Sequence, residues 1–472
     1  MKNNKETRRK ASQGEPIQAP LPELFSRKQR LVAGKTLRDK VPRERHATWK
    51  PPAKRRDPIE VLEESNRDRM QELVPIRYGR MLRSPFTFLR GSAGLMAYDL
   101  ATTTPNTGLR VQACGDCHLL NFGMFATPER NLVFDMNDFD ETLPAPWEWD
   151  VKRLSTSFAV AARDKKFSDS VARDAAIACM RAYRKNLREC SKKSPLEVWY
   201  EHVDVQALID EAPDARARTL RQGIAAKARQ RIGEYLIPKL TATAGGQRRL
   251  VDQPPILFHL AERDAEERFR EGLEDYRLSL PDSVRVLFDR YRLEDWAVKV
   301  VGIGSVGTRC MVGLFFSPEG HPLFLQFKEA CPSVLALYAG KSVYENQGQR
   351  VVVGQRLMQS SSDIFLGWTH GRRGYHFFGR QLRDMKISFP VEAMSVVQVK
   401  RYAKLCGSVL ARAHAKSGDA AEISGYLGKT DTFDQAIGEF SLAYADQTVR
   451  DHAALVAAVK AGRLKALVEE DL

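Results

Sequence analysis

The stretch Cys114-Gly115-Asp116-Cys117-His118-Leu119-Leu120-Asn121, followed by Val133-Phe134-Asp135-Met136-Asn137-Asp138, holds two kinds of oxygen ligand and a thiol pair within one short segment. Asp116, then Asn121 five residues on, then Asp135 fourteen further and after an apolar pair, is a spacing that sets a catalytic base beside metal ligands. In that reading Asp116 orients or deprotonates an acceptor hydroxyl, while Asn121 and Asp135 ligate a Mg²⁺ that bridges phosphates. Two protein ligands suffice, because Mg²⁺ prefers such oxygens and keeps waters. Asp138 joins the candidate metal set, and Asp140 is a further carboxylate able to replace or assist Asp135. Asp150, after Trp147 and Trp149, is expected to brace the loop from a helix N-terminus.

Other chemistries compete for the same residues. Cys114-Gly115-Asp116-Cys117-His118 reads Cys-x-x-Cys-His, a haem-attachment pattern with two thioethers and an axial histidine. Attachment of that kind belongs to an exported, oxidising compartment. A zinc site on Cys114, Cys117 and His118 lacks a fourth ligand at recognisable spacing. Buried cysteines beside a polar turn account for the two thiols equally well. With magnesium, His118 braces the loop. His414 reads as a satisfied histidine near a helix end, and Arg90, Arg380 and Arg383 as phosphate or substrate contacts.

A second cluster lies far downstream. Gly302-Ile303-Gly304-Ser305-Val306-Gly307 is a complete G-x-G-x-x-G. A dinucleotide site would need a helix next, to set its N-terminus on the phosphate. Residues Thr308 to Phe316 instead carry an alternating strand pattern, so the loop reads as a hairpin whose glycines let the backbone cover phosphates. The next apolar strand ends in Lys328, placed to pair with α- and β-phosphates, and Glu345 on the following helix is its expected ion-pair partner. Glu329 points to the opposite face of the strand.

These residues need elements to carry them. Short strands at Leu109 to Ala113 and Leu132 to Asp135 deliver the acidic segment. Charged helices are expected over 170–190 and 214–235, and a weaker pattern over 240–295 contains a domain boundary. Strands at 296–301, 308–316 and 323–328 form an antiparallel meander, followed by a helix over 342–359, a hairpin over 365–382 and helices to the C-terminus.

The chain has 472 residues and a net charge of +15. Residues 1–57 hold 17 Lys and Arg against 6 Asp and Glu, so +11 of that charge lies there. Residues 1–40 therefore read as a basic, disordered tail, and nucleic acid is not the expected partner of the body. Seven cysteines without an even framework fit reduced thiols, and no apolar run reaches the roughly 18 residues of a membrane span. With no apolar export segment at the N-terminus, a cytoplasmic location is expected.

The words Ser84-Pro85-Phe86-Thr87-Phe88-Leu89-Arg90-Gly91, Gly115-Asp116-Cys117-His118-Leu119-Leu120-Asn121 and Trp147-Glu148-Trp149-Asp150-Val151-Lys152-Arg153-Leu154 resemble a bacterial family of uncharacterised proteins. So do Gly304-Ser305-Val306-Gly307-Thr308-Arg309 and Gln381-Leu382-Arg383-Asp384-Met385-Lys386, and the resemblance runs from about 45 to 466. More distantly, Gly115, Asp116, His118, Asn121 and Asp135 resemble the catalytic loop and metal aspartate of aminoglycoside and choline phosphotransferases of the protein-kinase-like superfamily. The order differs, because in those enzymes the glycine loop and lysine come first. A circular permutation reconciles the two orders.

The resemblance implies an α+β, kinase-like bilobal fold, circularly permuted. A helical lobe over 58–295 would carry the catalytic and metal loop, a small antiparallel sheet lobe over 296–390 the glycine-rich loop, and helices over 391–472 would pack on the helical lobe. It implies ATP- and Mg²⁺-dependent phosphoryl transfer to a hydroxylated small molecule or protein. Asp116 would be the base, Asn121, Asp135 and Asp138 the metal set, and Gly302, Gly304, Ser305, Gly307, Lys328 and Glu345 would hold the nucleotide. The alternative is a catalytically silent nucleotide-binding or scaffold protein.

Overall fold

The computed structural model describes residues 25–468 apart from 213 and 383. The fold is mixed α+β, with small antiparallel sheets set against long helices. The largest sheet runs, in spatial order, Gly367–His370, His376–Gln381, Pro322–Glu329, Cys310–Phe316, Arg292–Lys299 and Leu257–Phe258. The Pro322–Glu329 strand lies in its interior and is buried at every position after the first. Side chains alternate across a strand, so Leu325 and Phe327 enter an aromatic cluster with Phe269, Tyr276 and Phe315, while Phe324, Gln326 and Lys328 share the other face. Arg380 stands opposite Gln326 in register, which brings its guanidinium to the Lys328 face.

A second framework carries the acidic segment. Arg110–Ala113 pairs with Leu143–Pro146, and Phe122–Ala126 pairs with Leu132–Met136. Ile387–Ser388, from the segment after the large sheet, pairs with the other edge of Phe122–Ala126. Behind them pack the helices Trp147–Asp164, Asp169–Cys190, Val396–Ser417 and Thr432–Lys460, around an extensive apolar core. The Val396–Ser417 helix ends against the strand that leads to Gly115: Ser417 Oγ accepts from the Gln112 amide at 3.0 Å.

Several expectations need correction. Within the range read as a disordered tail, residues 1–24 lie outside the described residues, but Arg27–Lys40 is a helix. Ser26 and Gln29 form a reciprocal capping box, and glycines on facing helices let the backbones touch. A Cβ on Gly34 would stand 1.8 Å from Glu422 O, and one on Gly425 2.2 Å from Leu31 O. The helix expected over 214–235 is two, Ala215–Arg229 and Gly233–Leu240. The region of weak pattern holds a hairpin that turns on Gly245 and Gly246, both at positive φ, and supplies Leu257–Phe258 to the large sheet. The helix expected to start near 342 starts at Gln347, because Asn346 caps it by accepting from the Gln349 amide. Among the described residues no helix is long and apolar enough to cross a membrane.

Candidate active site

The Asp116 loop is fixed from below. Gly115 has φ +86°, and a Cβ there would meet Glu141 O at 2.3 Å, so the position admits only glycine. Asp150, in the first turn of the Trp147–Asp164 helix, accepts from the amides of Cys114 at 2.6 Å and Gly115 at 3.0 Å. His414 Nε2 contacts the same carboxylate at 3.2 Å, and its Nδ1 contacts Tyr183 Oη at 2.9 Å. His414 is thus a fully buried bracket with two partners, as a satisfied histidine should be.

Asp116 accepts from Arg153 Nε at 2.7 Å and from its Nη2. Burial raises the Asp116 carboxyl to about 7, against the pull of Arg153. His118 Nε2 lies 3.9 Å from Asp116 Oδ2. Burial, reinforced by Arg90 and Arg153, holds His118 well below the usual histidine range, so it is neutral. Asn121 donates from Nδ2 to Asp116 O at 2.6 Å, leaving its carbonyl oxygen for another partner.

The acidic run divides by direction. Asp135 is 1% exposed, and its carboxylate accepts from Arg412 Nη2 at 2.6 and 2.7 Å and from the Ser360 amide at 2.8 Å. It faces the core, a correction to its assignment as a metal ligand: on the Leu132–Met136 strand Asp135 points into the helices and the residues beyond it reach the cavity. Asp138 and Asp140 meet Lys328, whose Nζ lies 3.4 Å from Asp138 Oδ1 and bonds directly to Asp140 Oδ2. Burial opposes the charge on Asp138, but Lys328, Arg380 and Lys386 together hold it below the usual carboxylate range. Asp140 is pushed up by burial and by Asp138, and its buried Oδ1 has no partner.

Glu345 is exposed and precedes its helix, so it does not hold Lys328; the two aspartates do. Glu329, on the opposite face of the strand, pairs with Arg309 at 3.1 Å. The glycine loop joins two antiparallel strands, with Gly302 and Gly307 at positive φ. Ser305 Oγ donates to Asp140 Oδ2 at 3.1 Å, and a Cβ on Gly304 would lie 3.9 Å from Asp116 Oδ2. The loop therefore spans both halves of the acidic segment.

Two cavities meet there and share Asp138, Gly302 and Ser305. The smaller, about 140 Å³, contains Asp116, His118, Asn121 and Asp140. The larger, about 860 Å³, contains Lys328, Gln326, Arg380 and Lys386. Arg380 Nη1 and Lys386 Nζ both donate to Asn137 O, at 3.1 and 3.4 Å. Burial and the neighbouring Arg380 bring the Lys386 ammonium down to about 7. Crowded cations around one carboxylate make this cavity receptive to an anion.

Arg383 lies outside the described residues. Cys114 and Cys117 are buried free thiols, and burial raises Cys117 well above its usual range, so they line the loop as small apolar groups. Sequence reasoning missed Arg153 and Lys386. Both sit in the conspicuous words around Trp147 and Gln381, but Arg153 gave no signal of its own, because its helix turn also carries Asp150 and Lys152 and reads as charged.

No curated protein and no solved structure matches the chain. The family model described as "Uncharacterized protein conserved in bacteria" (DUF2252) matches residues 69–458. The chain belongs to that family of bacterial proteins.

Proposed function

We propose that the chain is an ATP- and Mg²⁺-dependent phosphotransferase with a circularly permuted, kinase-like bilobal architecture. One observation carries the reading. Lys328 from the large sheet and Ser305 from the glycine loop converge on Asp138 and Asp140 across sequence separations of 190, 188 and 165 residues. A loop that covers phosphates, a lysine that pairs with them and carboxylates that hold their metal are the parts phosphoryl transfer needs in one place. The contact between Ser417 and Gln112 supports the permutation, because it sets the C-terminal helices beside the strand entering the catalytic loop.

The larger cavity falls within the size range of small-molecule sites and would take the nucleotide, with Lys328, Arg380 and Lys386 on its phosphates. The donor set fits magnesium: Asp138 and Asp140 offer hard oxygens, one of them a buried oxygen without a partner, and Asn121 retains a free carbonyl. Mg²⁺ keeps waters and phosphate oxygens in its shell, so these residues would not have to close it alone. Bound there, Mg²⁺ would neutralise phosphate charge during transfer.

Asp116, oriented by Arg153, would take the proton of the acceptor hydroxyl as that oxygen bonds to the γ-phosphorus. The bond to the β,γ-bridging oxygen breaks, and its electron pair stays on the departing diphosphate. A base with a pKa near 7 is matched to that task at neutral pH.

The silent nucleotide-binding alternative has one observation in its favour: the Gln347–Met358 helix brings no carboxylate to Lys328. Magnesium-dependent ATP consumption in the presence of cell extract separates the two. Turnover by the wild type that is lost in Asp138→Asn supports the phosphotransferase, whereas ATP binding without turnover supports the silent protein.

A further inference from the structure

The smaller cavity is lined by three arginines, none of them hydrogen-bonded or ion-paired to a carboxylate among the described residues. Arg77 is 3% exposed; it donates to Asn66 Oδ1 and, at 2.6 Å, to Gly91 O, and its Nε has no partner. Arg69 donates to Ser65 O at 3.0 Å and Val306 O at 2.6 Å, again neutral oxygens. The Arg90 side chain has no hydrogen bond or ion pair among the described residues, and its buried Nε is unmet.

Each acid of the same cavity has another partner, with only Asp140 Oδ1 left unmet. Asp116 has Arg153, Asp138 and Asp140 have Lys328, Glu329 has Arg309, and Glu141 accepts from the Val334 amide at 2.7 Å. Burial lowers the pKa of Arg69, Arg77 and Arg90 alike, against the pull of nearby carboxylates such as Glu141 and Asp116 that bond to none of the three. Burying unpaired charge is costly, and a carboxylate or phosphate in this cavity would offset that cost.

We infer that the smaller cavity binds an anionic group, carried by a small hydroxylated molecule whose hydroxyl faces Asp116. The inference rests on the reading of Asp116 as the base that activates an acceptor. It gives that acceptor a class: a compact hydroxy acid or hydroxylated phosphate ester that fits about 140 Å³, and not a cationic sugar or amine.

The test is calorimetric titration of the full chain, without nucleotide, using inorganic phosphate, glycerate, glycerol 3-phosphate and neutral glycerol as probes. The expected result is binding of phosphate and at least one hydroxylated anion, no binding of glycerol, and at least a tenfold rise in Kd in Arg90→Gln. Arg90→Lys, which keeps the charge but loses the planar fork, should recover part of the affinity lost in Arg90→Gln. The tighter of glycerate and glycerol 3-phosphate assigns carboxylate or phosphate. Because phosphate can also enter the larger cavity, Lys386→Gln is titrated in parallel. Binding lost in Lys386→Gln and untouched in Arg90→Gln overturns the inference, as does the absence of binding by all three anions at millimolar concentration. ATP consumption is measured separately. An Arg90-dependent anion site in a protein that consumes no ATP would leave this inference standing and overturn only the transfer reaction.

Discussion

Lys328 and Asp140, 188 residues apart in the chain, form a hydrogen-bonded ion pair in which the lysine side chain is 3% exposed. Asp138 shares the same ammonium, so one cation holds two carboxylates and ties the large sheet to the acidic loop. Lys328→Met should therefore destabilise the fold. Breaking a buried pair costs several kcal/mol, but the two carboxylates are 37% and 26% exposed, which reduces the expected loss to about 2 kcal/mol by denaturant unfolding at pH 8.

The sign of its pH dependence is set by Asp138. Its folded-state pKa is depressed, so its stabilising contribution is present above the ordinary carboxylate range and fades as pH falls through the lowered value. The gap between wild type and Lys328→Met should shrink below about pH 4. A gap that is constant with pH would contradict the shared pairing.

Asp116 should set the acid limb of activity. With its carboxyl raised to about 7, the base form is lost below that pH, and kcat/KM should fall about tenfold per pH unit on the acid side. Asp116→Asn should lower the rate by roughly 10² to 10⁴. A flat profile from pH 5 to 8 would exclude the role.

Asp135 should behave as a structural residue. Asp135→Ala and Arg412→Ala should each cost about 3 to 5 kcal/mol of stability, and the double variant less than their sum, because each single change strands a buried charge. Asp135→Asn should leave Mg²⁺-dependent nucleotide binding within about threefold. Asp138→Asn should weaken it by tenfold or more, and the opposite ranking would return the metal to Asp135.

The glycine contact between the Arg27–Lys40 helix and the helix carrying Glu422 gives a prediction about the fold. Gly34→Ala should destabilise by about 1 to 3 kcal/mol, since the added methyl meets a backbone oxygen that cannot move alone. Proteolysis within residues 27–40 should speed up. An unchanged melting temperature would show that this helix does not pack as described.

The meander and the hairpin of the large sheet were legible from their runs of apolar and aromatic residues, and the glycine loop because its flanks both read as strand, whereas the short Leu257–Phe258 strand was not. The local loop around Asp116 was legible too, since Gly115, Asp150 and the apolar stretches between them fix it within a short segment. Direction was not. Spacing from Asn121 selected Asp135, but which way a carboxylate faces at the end of a strand depends on Arg412, which lies 277 residues away. Glu345 failed for a related reason: the cap at Asn346 starts the helix late and leaves the glutamate outside it. Arg90 read in sequence as a phosphate or substrate contact, but Arg69 and Arg77 look there like solvated arginines, and only the cavity that the three line together distinguishes them.

A structure with a non-hydrolysable ATP analogue and Mg²⁺ tests the central claim most directly. The triphosphate should lie beneath Gly302 to Gly307 with Lys328 withdrawn from Asp140 onto the phosphates, and the metal on Asp138 and Asp140 with the γ-phosphate directed toward Asp116. An analogue bound away from Lys328, or a metal that leaves the Lys328 to Asp140 ion pair in place, would contradict it.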